Sequence, residues 1–552
     1  MLTDIEIAKQ AKLKPVTEIA TKLGLETTDL SLYGDYKAKI KEHVFENTKD
    51  NEDAKLILVT SINPTRAGEG KSTVTVGLVD SLNAIGKKTI GALREPSMGP
   101  VFGLKGGATG GGYAQVGPME DINLHFTGDM HAITSSHNLI TACMDSHIFN
   151  GNELEIDVHN ILWKRVLDVN DRNLRSITVG HGKMGVEYTS GFEITVASEI
   201  MAIFCLAQNF EELRTRIEDI ILAYNIHGKP VFVRDLNISG SIIALLKDAF
   251  SPNLVQTFEN NPVLIHGGPF ANIAHGCNSL RATKLALKLS DYVVTEAGFG
   301  ADLGSEKFVD IKSQVGNLSV NVVAIVATVR ALKLQGGADY NDLTSENLAA
   351  LQLGFANLDK HIETVQSYGA SQIVLINKFA TDTDGELELL KSHLASKGIT
   401  CEVLEIHGKG SEGGIEAAQA IVNLDFANQA KPLYTLDQSF ESKLTTIVTK
   451  AYGASGYVLS ETAKSSLEKI KANLNVDDYF VCMAKTPASL TDDPNVIGRP
   501  TDFEITITDL KVANGSKFIV CYAGGVMTMP GLGKVPNATR IDVKDNEIIG
   551  LM

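Results

Sequence analysis

Pro64-Thr-Arg-Ala-Gly-Glu-Gly-Lys-Ser-Thr73 follows, one residue on, the apolar run Leu56-Ile-Leu-Val-Thr-Ser-Ile62. A β-rich stretch, a glycine-bearing turn and an amphipathic segment from Val74 to Asn83 read as strand, phosphate loop and helix. Backbone N–H groups of Thr65, Arg66, Ala67, Gly68, Glu69 and Gly70, with the helix N-terminus, then form a concave anion site. Lys71 reaches the terminal phosphates of a nucleotide, and the Ser72 hydroxyl joins a magnesium shell. The strict motif has a glycine where this chain has Thr65, which leaves an ordinary strand-to-helix turn as the competing reading. The preceding strand and the extra Gly68 favour the phosphate loop.

The chain has 552 residues, enough for several domains, since single cores stop growing at roughly 250–300 residues. A formal charge of −16 argues against non-specific nucleic-acid binding while leaving room for a local cationic pocket. Cys143, Cys205, Cys277, Cys401, Cys482 and Cys521 include no close pair, so free buried thiols in a reducing compartment are expected. No apolar run reaches the roughly 18 residues of a membrane helix, and the N-terminus carries no basic-then-apolar leader. A cytoplasmic protein with no membrane partner is expected.

Apolar β-like runs alternate with helical patterns: Leu56–Ile62, Thr89–Leu93, Ser176–Val179, Pro230–Val233, Val263–Ile265, Tyr292–Thr295, Val322–Ala327, Ile373–Ile376 and Thr400–Ile406. Such alternation predicts an α/β protein with parallel sheets. The spacing of Ile194, Ala197, Ile200, Ile203 and Phe204 predicts an almost wholly helical, buried segment from Ser190 to Tyr224. The polar stretch after Gly336-Gly337 and the Lys431-Pro432 region mark boundaries. They predict a large nucleotide-binding domain over 1–340, a second α/β domain over 341–432 lining the ligand cleft, and a third over 433–552.

Gly106-Gly-Ala-Thr-Gly-Gly-Gly112 makes a poor helix or strand; it is either a flexible linker or a backbone, Gly106 and Gly107 included, that lets a ligand approach closely. Glu120, Asp121, His125, Asp129, His131 and His137 crowd the next segment. Their spacing matches no zinc motif, which favours hydrogen-bonded side chains on a helix, although Glu120 or Asp129 could help hold magnesium. Arg94 and Glu95 end the next strand, where residues of an open parallel sheet face the ligand crevice. Arg94 either binds an anion there or forms a surface salt bridge to Glu95.

The segments Gly103–Val116 and Pro118–Asp129 closely resemble formate–tetrahydrofolate ligase. So do Thr295-Glu-Ala-Gly-Phe-Gly-Ala-Asp-Leu-Gly304, Val326–Lys333 and Met527–Leu532, and the resemblance runs from Ile5 to the C-terminus. It covers the synthetase alone, without the dehydrogenase and cyclohydrolase of trifunctional relatives. It implies a P-loop NTPase-like fold, ATP with Mg2+, formate and tetrahydrofolate as substrates, a K+ or NH4+ activator and a homotetramer. The products would be 10-formyltetrahydrofolate, ADP and phosphate, formed through formyl phosphate. Lys71 and Arg94 take the catalytic roles, Ser72, Glu95 and Asp129 the metal, and Phe299, Phe379 and position 407 a ligand ring.

Position 407 departs from the family, which usually has Trp where this chain has His407. Ala380 stands where Pro is usual, Gln335 where His or Asn is usual, and Lys485-Thr-Pro-Ala-Ser-Leu490 lacks the customary Gln-Tyr pair. These departures fall mostly outside the phosphate chemistry, in the region of the expected folate pocket. A diverged enzyme of the same fold with another carboxylate or acceptor, or a non-enzymatic nucleotide-dependent scaffold, are the other classes.

Overall fold

A computed structural model describes residues 3–66, 68–103 and 109–551. Seven parallel strands form the body of a twelve-stranded sheet: β1 (Lys55–Ser61), β2 (Thr89–Leu93), β3 (Pro262–Ile265), β4 (Tyr292–Gly300), β5 (Val320–Ala327), β6 (Ser371–Asn377) and β7 (Cys401–Leu404). They run in the order β3-β2-β4-β1-β5-β6-β7. Asn253–Thr257 adds antiparallel to β3, and Ala38–Ile40 and Leu30–Leu32 finish that edge. All eight residues of β5, Val-Asn-Val-Val-Ala-Ile-Val-Ala, are buried, as a strand covered on both faces requires. Helix α1 (Lys71–Ala84) begins immediately after the glycine turn and is buried from Thr73 to Leu82.

The sheet runs across the expected boundary near residue 340. β6 lies parallel to β5 and β7 to β6, so strands of the segment 341–432 extend the large sheet. The polar stretch after Gly336 is a helix exit, not a linker. A buried ion pair between Lys333 and Glu386 (2.9 Å) spans it. Residues 433–552 do carry a separate four-stranded sheet, built from Gly456–Leu459, Glu504–Ala513, Phe518–Ala523 and Phe480–Ala484. It is tied to the large sheet by Lys485 and Asp302, whose fully buried side chains pair at 2.9 Å.

Two expected parallel strands are antiparallel. Ile177–Val179 pairs with Tyr188–Ser190, and Pro230–Phe232 with Ile221–Asn225. Only four residues separate the latter two strands, too few for a parallel crossover. The expected continuous helix from Ser190 to Tyr224 is also corrected. It is a strand (Phe192–Ile194), helix α2 (Glu199–Leu206), helix α3 (Phe210–Glu218) and a second strand (Ile221–Asn225). The Ser198 hydroxyl caps α2 by accepting from Ile200 N–H (3.1 Å), and the Asn209 side chain caps α3 by accepting from Glu212 N–H (2.9 Å). The apolar period misled because α2 is buried all round and the strands beside it are apolar too. Burial holds for Ile200 to Ala207, each at most 3% exposed, whereas α3 buries only Leu213 and Ile217 and exposes Glu211, Arg214 and Thr215.

Among the described residues no helix is long and apolar enough to cross a membrane, and all six cysteines are free. Phe204 packs between Phe250 (5.6 Å between ring centroids) and His266 (4.6 Å) in the core around α2. Phe204→Ala is expected to destabilise by about 3–5 kcal/mol, the cost of emptying a buried ring site, read as a lowered denaturant midpoint. An unchanged midpoint would contradict this packing.

Candidate functional site

β1 ends at Ser61 and α1 begins at Lys71, so the intervening loop sits at the carboxyl end of the central strands, where open parallel sheets bind ligands. Gly70 enters the helix at φ 69°, a left-handed conformation that favours glycine. A Cβ there would also come within 2.5 Å of Asn377 Nδ2. Glu69 fastens the loop from inside. Its Oε1 accepts from Thr65 N–H (2.7 Å) and its Oε2 from the Thr328 hydroxyl, while its carbonyl accepts from Asn377 Nδ2 (3.0 Å). Arg330 donates to Gly68 O and lies 3.8 Å from Glu69 Oε2. Thr65, which replaces the motif glycine, therefore spends its N–H on Glu69. Arg66 is exposed, and Ala67 lies outside the described residues.

Lys71, Ser72 and Arg94 converge on a residue the sequence reading did not single out, Glu296 of β4. Ser72 Oγ donates to Glu296 Oε2 at 3.0 Å, Lys71 Nζ stands 3.7 Å from the same oxygen, and Arg94 Nη2 is 3.6 Å from Oε1. Lys71 also donates to Ala297 O. Burial pushes the Glu296 carboxyl pKa up, yet Lys71, Arg94 and the Ser72 hydroxyl together hold it below the ordinary value. Burial brings the Lys71 ammonium down to about 8, with Glu296 opposing and Arg94 adding to the shift. Arg94 Nε is buried without a hydrogen-bond partner. Glu296 could have been suspected by the signal that marked Arg94, a charged side chain near the carboxyl end of a strand.

Arg94 therefore does not pair with Glu95. Glu95 is buried, and its carboxyl pKa is pushed well above the usual range, first by desolvation and then by the charge of Asp129. Asp129 already binds Lys39 Nζ through Oδ1 (2.8 Å) and Asn253 Nδ2 through Oδ2 (2.8 Å). The carboxylate beside Ser72 is Glu296, while Glu95 and Asp129 form a separate cluster with Lys39. The remaining acid and histidine residues disperse. His137 stacks on Trp163 (3.8 Å) and binds Ser198 and Lys164 O, Asp121 pairs with Lys37, and His125 and His131 are exposed. Among the described residues no group of three His, Cys, Asp or Glu is set to hold a metal.

Gly106 and Gly107 lie outside the described residues. Gly110-Gly111 opens a tight hairpin with Ala114-Gln115. Gly112 has φ 58°, and a Cβ there would collide with the carbonyl of His407, which accepts from Tyr113 N–H (3.0 Å). Here the glycines allow backbone to meet backbone. Phe299 is half-buried at φ 61°, and its carbonyl accepts from Ser61 Oγ (3.0 Å). Phe379 is half-buried under the Arg330 guanidinium (3.9 Å). His407 Nε2 faces Asp4 Oδ1 at 3.4 Å, a partner that the sequence reading did not assign to it, and Asp4 also accepts from Gly112 N–H (2.8 Å).

The strand ends of a mostly parallel α/β sheet thus gather a lysine, an arginine and a hydroxyl around one carboxylate beside a glycine loop. The model of the formate–tetrahydrofolate ligase family matches residues 2–552, essentially the whole chain, and the chain belongs to that family. It is accordingly an ATP-dependent ligase, and the substrates of the family are formate, ATP and tetrahydrofolate.

Hydrogen bonding to Asp4 raises the His407 pKa above its ordinary 6.5. The pair is therefore stabilising below pH 6.5 and loses its contribution as pH rises through the raised value. The difference in melting temperature between wild type and His407→Ala is expected to be largest in mild acid and to fade at alkaline pH. A difference independent of pH would contradict the ion pair.

Proposed function

We propose that the chain makes 10-formyltetrahydrofolate by activating formate as formyl phosphate on a P-loop NTPase-like site. A formate oxygen attacks the γ-phosphorus of ATP and ADP leaves with the bridging oxygen. The amine of tetrahydrofolate then attacks the formyl carbon, phosphate departs with the formate-derived oxygen, and the amine proton is released. Formate itself is a poor acyl donor, because its leaving group would be an oxide; phosphorylation supplies a leaving group. Phosphoryl transfer asks the protein mainly for positioning and charge neutralisation.

The observation that carries this reading is the convergence of Lys71, Ser72 and Arg94 within 3.7 Å of one buried carboxylate at the mouth of the phosphate loop. In the reaction, Lys71 turns to the terminal phosphate, the loop N–H groups cradle the rest of the chain of phosphates, and Arg94 grips formyl phosphate with its fork. The unpartnered Arg94 Nε is the donor this leaves room for. Mg2+, which the Ser72 hydroxyl suits, would supply neutralisation of the developing phosphate charge. Phe379 and His407 are the proposed ring contacts of the organic substrates, with His407 offering a smaller face than the usual Trp. K+ or NH4+ activation, a homotetramer and a cytoplasmic location belong to the same reading.

Formation of 10-formyltetrahydrofolate from the three substrates tests it. Lys71→Ala is expected to lose about 10²–10³-fold or more in turnover, the scale of losing one donor to a developing oxyanion, while remaining folded by circular dichroism. Arg94→Lys should fail to restore full turnover, because a point charge does not replace a bidentate fork, and should reduce turnover more than ATP binding. Wild-type turnover in a folded Lys71→Ala protein would overturn the assignment. With its pKa near 8, Lys71 should also take up protons as ATP binds at pH 8, since an anion favours its charged form. Calorimetry in buffers of different ionisation enthalpy reads that uptake, which should vanish in Lys71→Ala.

A further inference from the structure

Side chains from neighbouring strand ends hold the glycine loop after β1 by its carbonyls. Arg330, in the helix Val329–Gln335 that follows β5, donates to Gly68 O, and Asn377 Nδ2, at the end of β6, donates to Glu69 O at 3.0 Å. In a trans peptide the carbonyl and the next N–H point in opposite directions. Pinning these carbonyls to Arg330 and Asn377 therefore turns the N–H groups of Glu69 and Gly70 to the other side, and neither finds an acceptor among the described residues. Oriented, unspent N–H groups at a helix N-terminus are what a phosphate requires.

Arg330 has a further contact. Its guanidinium lies over the Phe379 ring, 3.9 Å from the centroid, and Phe379 stands two residues beyond Asn377 on the segment that leaves β6. Gly68 O is its sole hydrogen-bond acceptor among the described residues, since its Nε stays 3.8 Å from Glu69 Oε2 without a hydrogen bond. The flat group is thus placed by the loop at its edge and by the aromatic ring on its face. Phe379 N–H donates to Asp382 Oδ2 at 2.8 Å, which fixes the turn that carries the ring. A loop that shifts must drag or release the guanidinium, and the guanidinium backs one face of the ring.

Resting on the proposed binding of ATP and tetrahydrofolate, we infer that Arg330 is a positioning residue that couples the two substrate sites. It sets the loop for phosphate through Gly68 and backs the face of Phe379 opposite the one that receives the folate ring. Phosphate in the loop favours the arrangement in which Gly68 O lies on Arg330, and that arrangement fixes the guanidinium against Phe379. A folate ring stacked on Phe379 fixes the same guanidinium from the other side. Ordering Arg330 then opposes only the ligand that binds first, so the second binds more tightly. A residue that only braced the loop would support ADP binding without making it depend on folate.

The test is calorimetric titration of ADP, with Mg2+ throughout, into wild type, Arg330→Lys and Phe379→Leu, each alone and with saturating tetrahydrofolate. In wild type tetrahydrofolate is expected to tighten ADP binding by at least about fivefold, the lower end of coupling between linked sites, and ADP to tighten tetrahydrofolate binding by the same factor. Arg330→Lys keeps a cation near Glu69 and a donor for Gly68 O but loses the flat face. It should bind ADP alone nearly as wild type does, while the factor falls close to unity. Phe379→Leu leaves both carbonyl anchors in place and should likewise bind ADP alone normally with the factor lost, so it carries the test by itself should Arg330→Lys not fold. A wild-type factor retained in either folded variant would overturn the inference, as would a wild type with no coupling. So would weaker binding of ADP alone by Phe379→Leu, which would put the adenine on that ring. A wild type that binds no ADP or no tetrahydrofolate would instead bring down the reading on which the inference rests.

Discussion

One buried carboxylate organises the site. Glu296 is accompanied by an ammonium, a guanidinium and a hydroxyl, which together hold it ionised against the pull of desolvation. The arrangement exists because β2, β4 and β1 lie side by side and parallel, so the segments that leave them all emerge at the same end of the sheet. Arg94 comes from the end of β2, Glu296 from within β4, and Lys71 and Ser72 from the loop after β1. Changing the register of any of these strands would separate the charges and leave at least one of them buried alone.

The glycine loop after β1 depends on a second carboxylate. Without the first motif glycine, the loop is closed by Glu69, which binds Thr65 N–H on one side and Thr328 on the other. Thr328 also caps the helix Val329–Gln335 through Ala331 N–H (3.1 Å), so the loop geometry is coupled to the element after β5. Asn377, at the end of β6, holds the Glu69 carbonyl. Residues from three strand ends therefore shape one loop, and β6 serves the site as part of the same sheet.

Much of this was legible where the signal is local. The run from Leu56 to Thr73 carries its strand, glycine turn and helix in sequence order, and β1 and α1 appear where that pattern puts them. The buried strands β2, β5 and β6 announced themselves by β-branched residues between turn signals. What stayed hidden depends on distance or on direction. Glu296 meets Ser72 across 224 residues of chain, and no local pattern encodes that meeting. His407 meets Asp4 for the same reason. Strand direction in the 177–232 region is set by short reversals that an apolar pattern alone does not report. The polar stretch after Gly336 looks like a linker in composition, but the Lys333–Glu386 pair beneath it is visible only in three dimensions.

The central claim is that formate is activated by taking the terminal phosphoryl group of ATP before it meets the folate amine. Turnover with formate labelled in both oxygens by 18O tests this directly, with mass analysis of the phosphate released. The proposed route transfers one formate oxygen to each phosphate and keeps the other in the formyl group, so singly labelled phosphate is predicted. Unlabelled phosphate accompanying formation of 10-formyltetrahydrofolate would contradict it.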